Sequence, residues 1–193
     1  DQHLGLGDEG GFAPPIAKAE QALFLLKNAS EDYDNDVKFA LDCAASEFYK
    51  NGKYQFEGRE LARSELLGFY KDLIKRFSII SIEDPFSEED WQGFEEFTKE
   101  LGSKITIVGD DLTTTNIKRI KDAHSRKAIN AVLIKLNQIG SVSETIEAIN
   151  MTKSFGWKVI VSHRSGETMD NFIADLAVGS GADWLKSGSP AKE

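Results

Sequence analysis

Cysteine is nearly missing from these 193 residues: Cys43 stands alone, so no intramolecular disulfide can form, and the usage is that of a reducing compartment. Three histidines and one thiol supply too few ligands for a structural zinc site. No run of lysine or arginine occurs, and 23 basic against 32 acidic residues leave a formal charge of −9. The chain therefore lacks the electrostatic footprint of a nucleic-acid or acidic-membrane binder, and an anionic ligand would need locally placed cations. No apolar stretch approaches the roughly 20 residues that span a bilayer. The opening Asp1-Gln2-His3-Leu4-Gly5-Leu6-Gly7 has neither the basic nor the apolar region of a signal peptide, and no initiator methionine. The closing Gly188-Ser189-Pro190-Ala191-Lys192-Glu193 is a turn that leads into nothing, so a segment of a longer chain is expected. What remains is ordinary globular composition, 40% hydrophobic and 10% aromatic, sufficient for one domain over 1–193 with a sizeable core.

Six short apolar, β-branched runs read as strands: Val37–Ala45, Ile79–Asp84, Ile105–Asp111, Ala131–Leu136, Lys158–His163 and Trp184–Lys186. Between them, apolar residues at three- and four-residue spacing predict helices over Ile16–Asn28, Leu61–Phe77, Asp90–Leu101, Asn116–Ala128, Ser143–Phe155 and Thr168–Val178. Start signals at Ser64-Glu65, Ser87–Asp90 and Ser141/Ser143, and stop glycines at Gly102, Gly156 and Gly181, agree with those bounds. Asn51-Gly52 predicts a small hairpin turn after the first strand. Strands alternating with helices imply βαβ units and a parallel sheet. No glycine-rich phosphate turn follows any strand, which disfavours a doubly wound sheet and favours a parallel barrel, where functional groups project from the C-terminal strand ends.

Every one of those strands ends in an ionisable residue: Asp42, Glu83, Asp110, Lys135, His163 and Lys186. An acid after Ile79-Ile80-Ser81-Ile82 is costly to bury unpaired, so Glu83 requires a cation, and Asp42 and Asp110 repeat the situation. Three oxygen ligands with no histidine or cysteine among them select Mg²⁺; a structural acid–lysine network is the alternative. Lys135 lies between apolar neighbours, a setting suited to a general base or to a structural ion pair. Ser162-His163-Arg164-Ser165-Gly166-Glu167, followed at once by a helix, combines a guanidinium, an imidazole and hydroxyls in a plausible clamp for phosphate or carboxylate. A Ser–His nucleophile is the rival chemistry and has no suitable orienting acid. Gly7–Pro14 reads either as a surface loop or as a glycine-framed turn that lets Glu9 reach a ligand.

Taken together, Gly7–Pro14, Ala40–Phe48, Ser81–Phe86, Gly109–Thr113, Leu133–Gly140, Val161–Thr168 and Lys186-Ser187-Gly188 run in the order of one family. Over nearly its whole length the sequence resembles the enolases. The resemblance implies an α/β fold, a TIM-type barrel that is incomplete here, without the cap domain, first strand and C-terminal helices. It implies a Mg²⁺-dependent lyase of glycolysis that dehydrates 2-phosphoglycerate to phosphoenolpyruvate through an aci-carboxylate, with two Mg²⁺ per site. Asp42, Glu83 and Asp110 match the carboxylates for the first ion. Lys135 matches the base for the α proton, and Glu9 the acid side that helps expel the 3-hydroxyl. Lys186 matches the lysine at the substrate carboxylate, Arg164 and Ser165 the phosphate ligands, with Ser165 also near the second ion, and His163 a lining residue. His3 does not sit in the context of the family's catalytic histidine. The resemblance further implies a cytoplasmic homodimer at full length, with a cell-surface location as an additional one, and little activity in this segment alone. The alternatives are another acid-proton-abstracting member of the superfamily and a non-catalytic surface or host-protein-binding role.

Overall fold

Alternation of apolar strands with amphipathic helices produces a parallel α/β arrangement, seen in a computed structural model that describes residues 5–33, 37–166 and 168–189. His3, Glu167 and the end of the C-terminal turn lie outside the described residues. The chain divides into two units, one formed by 16–112 and 125–130, the other by 1–15, 113–124 and 131–193.

In the first unit, strands β1 (Phe39–Asp42), β2 (Ile79–Glu83) and β3 (Thr106–Gly109) pair in parallel, with Asp42 opposite Glu83 and Glu83 opposite Val108. Helices α1 (Ala19–Ala29), α2 (Arg63–Arg76) and α3 (Trp91–Leu101) accompany them. The predicted hairpin extends to a three-stranded antiparallel sheet, Tyr49–Lys50, Lys53–Phe56 and Arg59–Leu61; the last strand was hidden because its two charged residues face outward. The core centres on Phe86, fully buried, whose ring meets those of Tyr54, Tyr70, Phe94 and Phe97 edge-on at 5.8–6.1 Å. Edge-to-face geometry suits the ring quadrupoles and adds to the burial of large apolar surface. Asp90 ties the polar rim to that core: it accepts the Gly93 N–H at the start of α3, the Tyr54 hydroxyl at 2.8 Å and the Arg63 guanidinium at 2.6 Å.

Helix starts follow side-chain chemistry more than periodicity. Helix α1 begins at Ala19, three residues later than Ile16, where the Ala19 N–H finds the Glu57 carboxylate at 2.8 Å. Its Phe24, Leu25 and Leu26 remain more than half exposed. Helix α2 starts where Glu65 accepts the Ala62 N–H, at 2.7 Å. Gly102 closes α3 with a right-handed φ; glycine is required there because a Cβ would meet the Thr98 carbonyl oxygen at 2.6 Å.

In the second unit, β4 (Ala131–Ile134), β5 (Lys158–Ser162) and β6 (Trp184–Lys186) pair in parallel in the order β4-β5-β6. The β4 strand is buried throughout, and so is β5 beyond Lys158, which is how strands covered on both faces read. Helix α6 (Val142–Ser154) packs on β4 and β5 through Thr145, Ala148, Ile149 and Thr152, the threonine hydroxyls donating to carbonyls one turn back. Helix α7 (Phe172–Ser180) packs on β5 and β6 and ends at Gly181 with a left-handed φ of 61°. Thr168–Asn171, predicted helical, is not: Asp170 N–H donates to Thr168 Oγ1 and Phe172 N–H to Asp170 Oδ1, and such local bonds compete with a helix. Helix α4 (Ile117–Arg126) and a four-residue helix α5 (Leu136–Ile139) complete the elements, with α5 taking Leu136 from the predicted strand.

Replacing Phe86 by alanine removes the centre of the aromatic cluster, and urea denaturation is expected to show a loss of about 3–5 kcal/mol; a loss under 1 kcal/mol would contradict the packing described.

Candidate active site

Parallel register decides which strand-end residues share a face. On the β1–β2–β3 side, Asp42 and Glu83 are direct partners on strands about 4.8 Å apart, so their side chains leave the same face. Asp110 lies two residues past Val108, the partner of Glu83, and alternation returns it to that face. Glu83 and Asp110 are buried, Asp42 is exposed, and Asp42 Oδ1 accepts the Ala44 N–H.

Asp84, which the sequence reading left without a role, forms the brace beneath them. Its backbone takes a left-handed φ of 40°, and its two carboxylate oxygens accept the N–H groups of Asp110 and Asp111 at 2.9 and 2.7 Å. Burial pushes the Asp84 carboxyl up to about 7 in spite of those two donors, with the Asp110 charge adding to the rise. Ligand atoms of Asp84, Asp110 and Asp111 lie within 4.8 Å of one another, a second acidic grouping that shares only Asp110 with the sequence-derived triad. Both Asp84 oxygens accept backbone N–H groups of the loop that carries Asp110 and Asp111.

The donor set fits Mg²⁺ on its chemistry. Burial, with the charges of Asp42, Asp84 and Glu83, pushes the Cys43 thiol up to about 12. The carboxylates at the ends of β1, β2 and β3 are hard oxygen donors, the donor type of Mg²⁺ rather than of zinc or copper.

On the β4–β5–β6 side, Ser162 is opposite Lys186, and one step past the Ile134–Val161 pair it stands level with Lys135. Lys135, Ser162 and Lys186 therefore reach one level of one face, with Arg164 two residues on. His163 is buried on the other side of the alternation; its N–H donates to the Lys186 carbonyl oxygen, and its Nε2 stands 3.9 Å from Glu9 Oε2. Glu9 is carried by a turn between two antiparallel strands, Gly5–Leu6 and Phe12–Ala13, that Gly10 closes with a φ of 77°. Its other oxygen accepts the Ser165 hydroxyl at 3.3 Å, and Gly166 N–H donates to the Asp8 carbonyl oxygen. Ser162 donates to the carbonyl oxygen of His163, so neither hydroxyl described here is turned to the imidazole as a Ser–His nucleophile requires.

Arg164 is exposed, and its Nη1 donates to Asn137 Oδ1 at 2.9 Å, a contact absent from the sequence reading. A cavity of about 530 Å³ opens here, lined by Leu136, Asn137, Ser162, His163, Arg164 and Ser165 among others. Because α7 starts only at Phe172, no helix N-terminus follows the Arg164-Ser165 segment at once, and anion binding there falls to the guanidinium and hydroxyl themselves.

Residues 2–193 match the family model described as the enolase C-terminal TIM barrel domain. The chain belongs to the enolase family. It is 52% identical to an enolase of Elusimicrobium minutum over 97% of its own length, and 51% identical to one of Methanocaldococcus jannaschii over 98%. Enolase 1 of Methanospirillum hungatei is 48% identical over 97%. The chain spans about half the length of these curated relatives, 44–46% of each. The enolase barrel accounts for the α/β architecture of parallel strands alternating with helices. No helix among the described residues is long and apolar enough to cross a membrane.

The buried Cys43 thiol is expected to react with a disulfide reagent at pH 8 about 10³-fold more slowly in the folded protein than in urea, from the thiolate fractions alone. Equal rates would contradict the placement of Cys43.

Proposed function

We propose that the full-length protein catalyses the reversible dehydration of 2-phosphoglycerate to phosphoenolpyruvate, as a glycolytic lyase of the cytoplasm and a homodimer. The observation that carries this reading is the register of β4, β5 and β6, which brings Lys135, Ser162 and Lys186 to one level with Arg164 just beyond, in a chain about half identical to enolases.

The chemistry runs as follows. Arg164 and Ser165 hold the substrate phosphate, the guanidinium through its fixed fork of donors. The Nζ lone pair of Lys135 takes the proton from C2, and the electron pair left behind spreads into the neighbouring carboxylate. That carboxylate gains a second negative charge, which the Lys186 ammonium faces at the moment it develops. Asp42, Glu83 and Asp110 would hold Mg²⁺, which would supply Lewis-acid stabilisation to developing negative charge. Glu9 gives a proton to the departing 3-hydroxyl, which leaves as water while the C2–C3 double bond forms; His163 lines the pocket and its 3.9 Å approach helps orient Glu9. The cations explain how a chain of charge −9 accepts an anionic substrate.

The test follows phosphoenolpyruvate absorbance with the full-length protein. Turnover is expected with Mg²⁺ and not with chelator, and Lys135→Ala is expected to lower kcat by about 10²–10⁴-fold while the protein stays folded. A folded full-length protein that dehydrates nothing, or a Lys135→Ala variant with undiminished kcat, would overturn the reading.

A further inference from the structure

Lys135 sits at the root of a network that the proposed chemistry does not yet use. The strand β4 ends at Ile134, and Lys135 continues it in extended conformation, φ −119° and ψ 106°, before α5 begins at Leu136. At this point the Lys135 N–H donates to Thr115 Oγ1 at 2.9 Å. Thr115 is fully buried, and its hydroxyl proton goes to Gln138 Oε1 at 2.9 Å, with the Lys135 carbonyl oxygen farther off at 3.4 Å. One hydroxyl thus grips the backbone of Lys135 on one side and the first turn of α5 on the other.

The segment that delivers this hydroxyl is unusual. Thr114 and Thr115 both take left-handed φ, 48° and 54°, a conformation that β-branched residues rarely adopt. Two such residues in succession persist only where the surroundings over-determine them, and the clustering of such residues at functional sites gives the observation its meaning. The two residues form the middle of a turn closed by the Asn116 N–H on the Thr113 carbonyl oxygen at 2.8 Å, and Asn116 then caps α4 by accepting the Lys118 N–H at 2.9 Å. What the strained pair adds is the position of the Thr115 hydroxyl.

We infer that Thr115, bracketed by Gln138, is a positioning residue that fixes the backbone from which Lys135 extends its amine to the substrate. The inference rests on the reading of Lys135 as the base. A lysine stem is long and flexible, so the placement of its root is what the fold can control, and misplacement of a reacting group by about 1 Å costs on the order of 10²-fold in rate. Thr115→Val keeps the shape and removes the acceptor; Thr115→Ser keeps the acceptor.

The experiment compares full-length wild type, Lys135→Ala, Thr115→Val and Thr115→Ser, measuring kcat, KM and the exchange of the substrate C2 hydrogen with deuterium from solvent. Thr115→Val is expected to lower kcat and C2 exchange together by about 10- to 100-fold with KM within about twofold, and Thr115→Ser to restore both. A Thr115→Val variant with wild-type kcat, a loss that lies in KM, or a serine variant as impaired as the valine one would overturn the inference. If Thr115→Val does not fold, Gln138→Leu decides: a loss in kcat alone supports the bracket, and unchanged kcat overturns it. Wild type that shows no turnover sinks the base assignment and this inference together. Active wild type with inactive Lys135→Ala and unaffected Thr115→Val sinks this inference alone.

Discussion

A parallel strand cannot slip by one residue against its neighbour without turning all its side chains to the other face, and the placement of the functional groups depends on that constraint. Asp42 faces the same way as Glu83 because the two are register partners; Lys186 faces the same way as Ser162 for the same reason. Burial alone does not fix those registers. A slip of β4 or β5 would leave apolar side chains no worse buried, since both faces are covered, but would break the alignment of strand ends with the loops that brace them. Covered faces thus make the sheet stable, and the braces make it specific.

Those braces share a physical device. Of the non-glycine residues with positive φ, Ala44, Asp84, Thr114 and Thr115 all lie just past the C-terminal ends of β1, β2 and β3. Left-handed backbone turns the chain sharply and lets a short polar side chain double back onto neighbouring N–H groups. Asp84 does so for Asp110 and Asp111, and Thr115 for Lys135. The backbone of Asp110 and Asp111 is held in place by donating both N–H groups to the Asp84 carboxylate. The other such residues, Asn51, Glu57 and Lys127, lie in the turns of the three-stranded sheet and ahead of β4.

Much of this could be read from residues alone. Apolar β-branched runs ending in Asp42, Glu83, Asp110, Lys135 and Lys186 mark the strands and where they end, because a charge after a buried run has few places to go. The Asn51-Gly52 turn was equally legible. What escaped were residues whose role depends on φ or on a partner distant in sequence. Thr114-Thr115 carries no glycine or asparagine to announce a left-handed turn. Asn137 and Gln138 look like a polar turn until Arg164 and Thr115 are brought to them. Asp84 has no role assigned to it in the sequence, and only its bonds to Asp110 and Asp111 show it to be a brace. The late start of α7 had a signal in Thr168 and Asp170, whose side chains favour local turns, but periodicity outweighed it.

The proposed reading makes Asp42, Glu83 and Asp110 the cation-binding acids, with Asp84 as their brace. Anomalous diffraction from crystals of the full-length protein soaked with Mn²⁺, a scattering substitute for Mg²⁺, tests it directly. The account predicts a peak in contact with carboxylate oxygens of all three residues and none on Asp84. A peak held by Asp84 and Asp111, or no peak at these strand ends, would contradict it.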